Sequence, residues 1–357
     1  MRLLQKFKNK GKSSQYKGTS NYAYLATRVR AMKSKLVPKE TYPRLMNMGI
    51  SEITRFIQET EYKREIDELA RTYSGVDLIE HGLNRNLAET FTKLIKISEG
   101  EPNHLITEYL RNYDVWNIKT LLRGKYYNAS ADEIKEALVS AGQLSYTFLS
   151  ELAGKQSYSE VISVLESTVY YPILKEYDGT NLSDIENRLD KMYYNGLFNV
   201  ISESKSKDRK LFAKFIRTEI DIKNIKTLFR LKKAGVSQDE IVDLIIDGGL
   251  ELSKNNIQKL LPLSYDDFIQ ALDQYSFWDS ISDAVNSDTD SLINVETQLI
   301  KHSLKSASSF SHVYPLSIVP IMDYIISKRN EVNNLRIITR GKAANLSDEI
   351  IKNQLVI

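Results

Sequence analysis

Asp114-Val115-Trp116-Asn117-Ile118-Lys119-Thr120-Leu121-Leu122-Arg123 returns as Asp221-Ile222-Lys223-Asn224-Ile225-Lys226-Thr227-Leu228-Phe229-Arg230. It returns again as Glu331-Val332-Asn333-Asn334-Leu335-Arg336-Ile337-Ile338-Thr339-Arg340, a spacing of about 107 residues. The shared pattern is acid, apolar, any, Asn, apolar, base, any, apolar, any, Arg. A second block follows each copy: Asp132-Glu133-Ile134, Asp239-Glu240-Ile241 and Asp348-Glu349-Ile350. A third opens a further segment, Ser157-Tyr158-Ser159-Glu160-Val161-Ile162 matching Ser264-Tyr265-Asp266-Asp267-Phe268-Ile269, with Gly49-Ile50-Ser51-Glu52-Ile53-Thr54 as a weaker first copy. Three blocks in one order at nearly one period indicate a module present three times.

Each module reads as helices. Leu25, Val29, Met32 and Leu36 step by four, three and four, one apolar stripe on a helix that Pro38 and Pro43 stop. Ser51 is the expected N-cap ahead of Ile53, Phe56 and Ile57. Ser130, Ser237 and Ser347 precede the Asp-Glu-Ile blocks where N-caps belong, and acids in a first turn suit the helix dipole. Ala141-Gly142 and Gly248-Gly249 are expected to end the helices that follow. Strand-like alternation is rare, and Asn195-Gly196 lies amid a helical pattern. The expected class is all-α: a basic flexible tail over 1–20, then helical repeats over 21–127, 128–234 and 235–357, the last ending in a closing helix over 347–357 that is expected to pack back toward the first repeat and help close a ring. The boundaries Lys125–Ser130 and Lys232–Ser237 are short and polar, so the repeats are expected to pack rigidly.

The chain has 357 residues, 42% hydrophobic and 27% charged, an ordinary globular composition with room for two or three domains. It has no cysteine, which excludes disulfides, thiolate metal sites and cysteine nucleophiles. Its histidines, His81, His104, His302 and His312, stand at no metal-binding spacing. No apolar run approaches the roughly 20 residues that span a bilayer. The net charge of +3 hides asymmetry: the first 35 residues hold ten Lys/Arg and no acid, and residues 260–300 hold eight acids and no Lys/Arg. These read as solvated faces or as separate contact surfaces. In the tail, Leu3, Leu4 and Phe7 offer a small amphipathic patch; an untethered tail is the simpler reading.

At about 100° per residue, Val115, Ile118, Leu121 and Leu122 share one arc, and Asp114 falls inside it. Asp221 and Glu331 repeat this placement. An acid in an apolar stripe is costly unless it is paired or hydrogen-bonded. Two readings follow: a proton-handling carboxylate, or a structural acid that bonds a neighbouring helix end or base and fixes module geometry. The second is preferred, because no histidine or metal cluster accompanies any copy. On the opposite side lie paired bases, Lys119 with Arg123, Lys226 with Arg230 and Arg336 with Arg340. They read as solvated faces or, arranged around an axis, as a cation ring facing an acidic partner. No phosphate-binding loop, dinucleotide fingerprint or nucleophile elbow occurs, and no cofactor is expected. Tyr126-Tyr127, Tyr170-Tyr171 and Tyr193-Tyr194 read as packing and not as base-stacking platforms.

Asn21-Tyr22-Ala23-Tyr24-Leu25-Ala26-Thr27-Arg28-Val29-Arg30-Ala31-Met32, the Tyr113–Arg123 and Ile220–Arg230 copies and the Glu331–Gly341 stretch together resemble the C subunit family of archaeal-type (A/V-type) ATP synthases, equivalent to the d subunit of the eukaryotic vacuolar ATPase. The resemblance covers 21–357, and residues 1–20 carry no part of it. It implies three similar helical domains in a pseudo-threefold funnel. It also implies one copy per complex, seated on the proteolipid ring at the cytoplasmic face of the cell membrane, peripheral and not spanning. The mouth of the funnel would receive the central axle and its small globular companion. The chain would then be a non-catalytic rotor adaptor coupling proton- or sodium-driven rotation to ATP synthesis or hydrolysis, with no nucleic acid involved. Two other readings of the residues remain open. One is a free-standing helical scaffold binding an acidic partner or nucleic acid; the other is an enzyme built on the buried acids.

Overall fold

The computed structural model describes residues 19–287 and 291–357. The basic tail expected over 1–20 therefore lies, but for its last two residues, outside the described residues, as do Asp288 and Asp290 of the acidic stretch. The described residues are helical throughout, without a strand. In order they form α1 (Tyr22–Lys33), α2 (Tyr42–Met46), α3 (Ile50–Gln58), α4 (Lys63–Leu69), α5 (Gly75–Ile97), α6 (Glu101–Leu110) and α7 (Asn112–Tyr126). There follow α8 (Ala131–Glu136), α9 (Tyr146–Ala153), α10 (Tyr158–Val164), α11 (Tyr171–Leu174), α12 (Leu182–Ser202) and α13 (Lys207–Lys233). The last are α14 (Gln238–Leu244), α15 (Lys254–Leu260), α16 (Tyr265–Gln270), α17 (Trp278–Asn286), α18 (Ile293–Val313), α19 (Val319–Ala343) and α20 (Asp348–Gln354). None is long and apolar enough to cross a membrane.

The three motif copies lie on α7, α13 and α19. The serines after them cap as their positions require. Ser130 Oγ accepts from the Glu133 amide while Glu133 reaches back to the Ser130 N–H at 2.7 Å, a reciprocal box. Ser237 and Ser347 accept from the Glu240 and Ile350 amides. Two expectations need correction. Ser51 is not a cap: α3 starts at Ile50 behind Gly49, whose N–H donates to the Glu52 carboxylate at 2.8 Å. Ser51 falls two residues later, inside the first turn, and Gly49 aligns with the capping serines 157 and 264. Nor do Gly142 and Gly248-Gly249 end the helices before them. α8 and α14 stop several residues earlier, at Glu136 and Leu244.

Contacts divide the chain into two compact units. The first joins the described residues through Tyr22 to Tyr62–Lys205. Here α5 packs on α4, α6 and α8, and α7 packs on α8, α9, α10 and α12. Ile118, Leu121, Leu122, Val161, Leu189 and Leu197 are all buried. Tyr170, Tyr193 and Tyr194 are buried too, but Tyr126 and Tyr127 are exposed and meet edge to face. Asn195-Gly196 sits inside α12.

The second unit joins Ala23–Glu61 to Ser206–Ile357 and holds two motif copies. Ile222, Ile225, Leu228, Phe229, Ile241, Leu252, Phe268 and Leu299 form one cluster. α19 packs on α13, α18 and α20 and also on α2 and α3 from the far end of the chain. Lys33 of α1 joins it, its ammonium 2.7 Å from both oxygens of the buried Asp323. The closing helix over 347–357, expected to pack back toward the first repeat, contains α20, which lies instead against α18 and α19 of its own repeat.

Deleting residues 347–357 removes the buried side chains of Ile351, Leu355 and Val356. At roughly 1.5–3 kcal/mol for each apolar side chain returned to water, the second unit should melt several degrees below its parent. A truncated chain that is monodisperse and melts with the parent would refute this packing.

Candidate functional site

In the first copy Asp114 is 1% exposed. Its Oδ1 accepts the Gln143 and Leu144 amides at 2.8 and 2.9 Å; its Oδ2 accepts Gln143 at 3.0 Å and the Tyr170 hydroxyl at 3.1 Å. In the second copy Asp221 does the same work on the equivalent loop. Its oxygens accept the Leu250, Glu251 and Leu252 amides at 3.0, 2.9 and 2.9 Å. A β-carbon on Gly142 or Gly249 would collide with these carboxylates. Those glycines therefore serve close approach of the loop to the acid, which is why they stand beyond the helix ends.

One turn along each helix is an asparagine whose role the pattern held without revealing it. Asn117 donates to the Val139 carbonyl at 2.8 Å and accepts its amide at 2.9 Å. Asn224 makes the same pair with Ile246 at 2.8 and 3.0 Å, and Asn334 with Val356 at 2.8 and 3.0 Å. The partner is 22 residues on in every case. The three side chains are almost fully buried. A primary amide facing the N–H and C=O of one residue satisfies a donor and an acceptor together, which valine or leucine cannot do. The signal was the invariance of asparagine at the fourth position of the repeat.

The third acid departs from the first two. Glu331 is buried. Donors in the other copies lie 29 to 31 residues downstream. Glu331 instead accepts the amide of Val37, from the segment between α1 and α2. Its other oxygen takes the ammonium of buried Lys328 at 2.8 Å. One distant amide and a lysine here do what two or three loop amides do in the other copies. Burial, with the Glu331 charge adding to it, pushes the neighbouring Tyr42 and Tyr324 hydroxyls well above their usual range.

The bases read as partner-facing have acids of their own unit beside them. Lys119 lies 2.6 Å from Asp190, and Arg123 holds Glu186 with both nitrogens at 2.5 Å. Lys226 and Arg230 converge on Glu296 at 3.2 and 2.5 Å. Burial works to raise Glu296, but these two cations hold its carboxyl below the ordinary range. Arg336 donates to Asn333 Oδ1 at 3.3 Å, and Arg340 is exposed on the last turns of α19. A further base escaped sequence reading although it recurs 11 residues after each acid. Lys125 donates to the Ala153 carbonyl at 2.7 Å, and Lys232 to those of Leu261 and Leu263 at 2.9 and 2.6 Å. Both cap the C-terminal carbonyls of a neighbouring helix. Lys342 instead meets Asp348 at 2.7 Å.

Chemically, this arrangement holds structure and has no poised reactants. Carboxylate oxygens are filled by fixed amides, and the described residues contain no group of acids or histidines suited to a metal. Burial pushes the Asp114 carboxyl up to about 6, while the Leu144 and Gln143 amides, Tyr170 and Arg111 pull the other way. Burial raises Asp221 as well, against three amides.

A family model described as ATP synthase (C/AC39) subunit matches residues 25–354. A protein of Methanococcoides burtonii named as the C subunit of an A-type ATP synthase is 67% identical over the full length of both chains. Proteins of the same name from Archaeoglobus fulgidus and Haloferax volcanii are 40% and 36% identical, over 96% and 95% of this chain and 98% and 99% of theirs.

Asp221→Ala orphans three loop amides and should cost about 3 kcal/mol of stability; a melting temperature equal to the parent's would contradict the clamp. Asp114 also sets a pH dependence. Its folded value lies above the unfolded one near 4, so folding takes up a proton. The stabilisation is complete below about 4 and is lost as pH rises through about 6. Wild type should gain on Asp114→Asn as pH falls from neutrality towards 4. A stability difference independent of pH in urea titrations would show that the amides hold Asp114 ionised.

Proposed function

The chain belongs to the ATP synthase (C/AC39) subunit family, and we propose that it is the rotor adaptor between the membrane ring and the central axle. It is a non-catalytic subunit of a rotary ATP synthase. The observation that carries the reading is the full-length relationship, in which family positions and motif copies run together from one end of the chain to the other. In this role three helical modules, each centred on one motif helix, surround a pseudo-threefold axis as a funnel. The wide end seats the axle and its small globular companion; the other rests on the proteolipid ring at the cytoplasmic face of the membrane. One copy serves each complex.

The local chemistry suits a part that carries torque. A coupling element must not store rotation in its own loops, and a loop held by two or three fixed amides on a buried carboxylate has little freedom to yield. A two-point grip occurs on each motif helix: acid to backbone amide, two or three in the first two copies and one in the third, then asparagine to the N–H and C=O of the residue 22 positions on. Buried acids Asp114, Asp221 and Glu331 act as structural groups in this scheme. The bases Lys119, Arg123, Lys226, Arg230, Arg336 and Arg340 line module faces, and acids of their own unit screen the first four. An axle contact at those faces would have to share or displace those acids.

A tagged full-length chain recovered from detergent-solubilised membranes should bring with it a proteolipid ring and the ATPase head subunits. Recovery of the chain alone, under conditions that keep the rest of the complex together, would sink the assignment.

A further inference from the structure

Lys207, Lys210 and Lys214 stand at i, i+3 and i+7 on α13 and form one stripe on that helix. All three are exposed, and no carboxylate of the described residues pairs with them. Instead Lys214 Nζ lies 4.0 Å from the ring centre of Phe310, and Lys207 Nζ 5.3 Å from that of Tyr314. Those rings belong to the end of α18 and the turn that leads into α19.

The same turn displays Val313 and Leu316, 65% and 61% exposed, with Pro315 between them also in solvent. The turn is fixed. Asp208 on α13 accepts the Ile318 amide at 2.8 Å, and Ser317 Oγ donates to the Tyr314 carbonyl at 2.8 Å. Two large apolar side chains are thus held outward, where water contact is unfavourable. The surrounding sequence is free of acids from 297 to 322, where it carries Lys301, Lys305 and His312.

We propose that this corner docks the chain on an anionic lipid surface. Val313 and Leu316 enter the headgroup layer, and Lys207, Lys210 and Lys214 meet lipid phosphates. The juxtaposition selects this partner. An exposed apolar turn beside two lysine–aromatic pairs matches the layered chemistry of a bilayer interface, apolar below and anionic above. A flat acidic protein face would satisfy the lysines and leave both apolar tips in water. Neither signal binds strongly alone, but together they give a reversible, salt-sensitive attachment. This contact goes beyond the coupling role, since it needs no protein of the ring and stands or falls without it.

The test uses the full chain and two kinds of vesicle: equal parts phosphatidylglycerol and phosphatidylcholine, or phosphatidylcholine alone. The chain should sediment with the anionic vesicles and not with the neutral ones. Loss of two lysines near the surface lowers such partitioning by about tenfold or more, so the double variant Lys207→Gln/Lys214→Gln should show that loss. Val313→Ser/Leu316→Ser should weaken binding several-fold while keeping the parent's melting temperature. In Leu316→Trp, indole emission should shift to the blue on anionic vesicles only. The basic segment before residue 20 is common to all variants and cancels in the comparison. Unchanged binding by both double variants would place lipid attachment elsewhere and overturn the proposal. Loss with the lysine pair but not with the apolar pair, and no blue shift, would show an electrostatic patch that never enters lipid, which also overturns it.

Discussion

A carboxylate taken out of water must be met by donors, and here the donors belong to the backbone of a distant loop. Asp114 and Asp221 reach amides 29 to 31 residues on, and the asparagine one turn further reaches the N–H and C=O of the residue 22 positions on. The motif helix is therefore not a stable object by itself. Left without its loop, it would bury an unpaired acid and an unpaired amide, each costly in an apolar setting. Helix formation and loop closure become one event, and the module inherits its cooperativity from that requirement.

The third copy obeys the same constraint by another route. Glu331 takes its amide from Val37 and its cation from Lys328. The segment after α1 supplies what residues 143–144 and 250–252 supply elsewhere. Stretches far apart in sequence are thus drawn together, reinforced by Lys33 on Asp323 and by α2 and α3 packing on α19. For a rotor adaptor this matters mechanically, because the segment that follows α1 is tied to the last long helix by a buried charge.

Much of this was legible from residues. The helical class, the motif helices, the serine caps and the acids within the apolar stripe all follow from periodicity and from three-way repetition. The family followed from the same blocks. What was not legible has a common cause. Asn117, Lys125 and their counterparts were visible as recurring letters, but their partners are backbone groups, which carry no residue identity for a pattern to detect. Gly142 and Gly249 read as helix stops because glycine commonly is one, whereas their purpose is to leave room for a carboxylate. Ser51 reads as a cap because a hydroxyl commonly is one, whereas the helix starts behind Gly49, whose N–H the Glu52 carboxylate takes. The pairing of Arg123 with Glu186 and of Arg230 with Glu296 spans more than sixty positions and has no local trace.

The central claim is that each motif helix holds its return loop through buried side chains. Amide hydrogen exchange on the full chain reads this residue by residue. The account predicts that Gln143, Leu144, Leu250, Glu251, Leu252 and Val37, none of them in a helix, exchange as slowly as the amides at the centres of α7, α13 and α19. Exchange of these six at the rate of open loops, with the helix centres still protected, would contradict it.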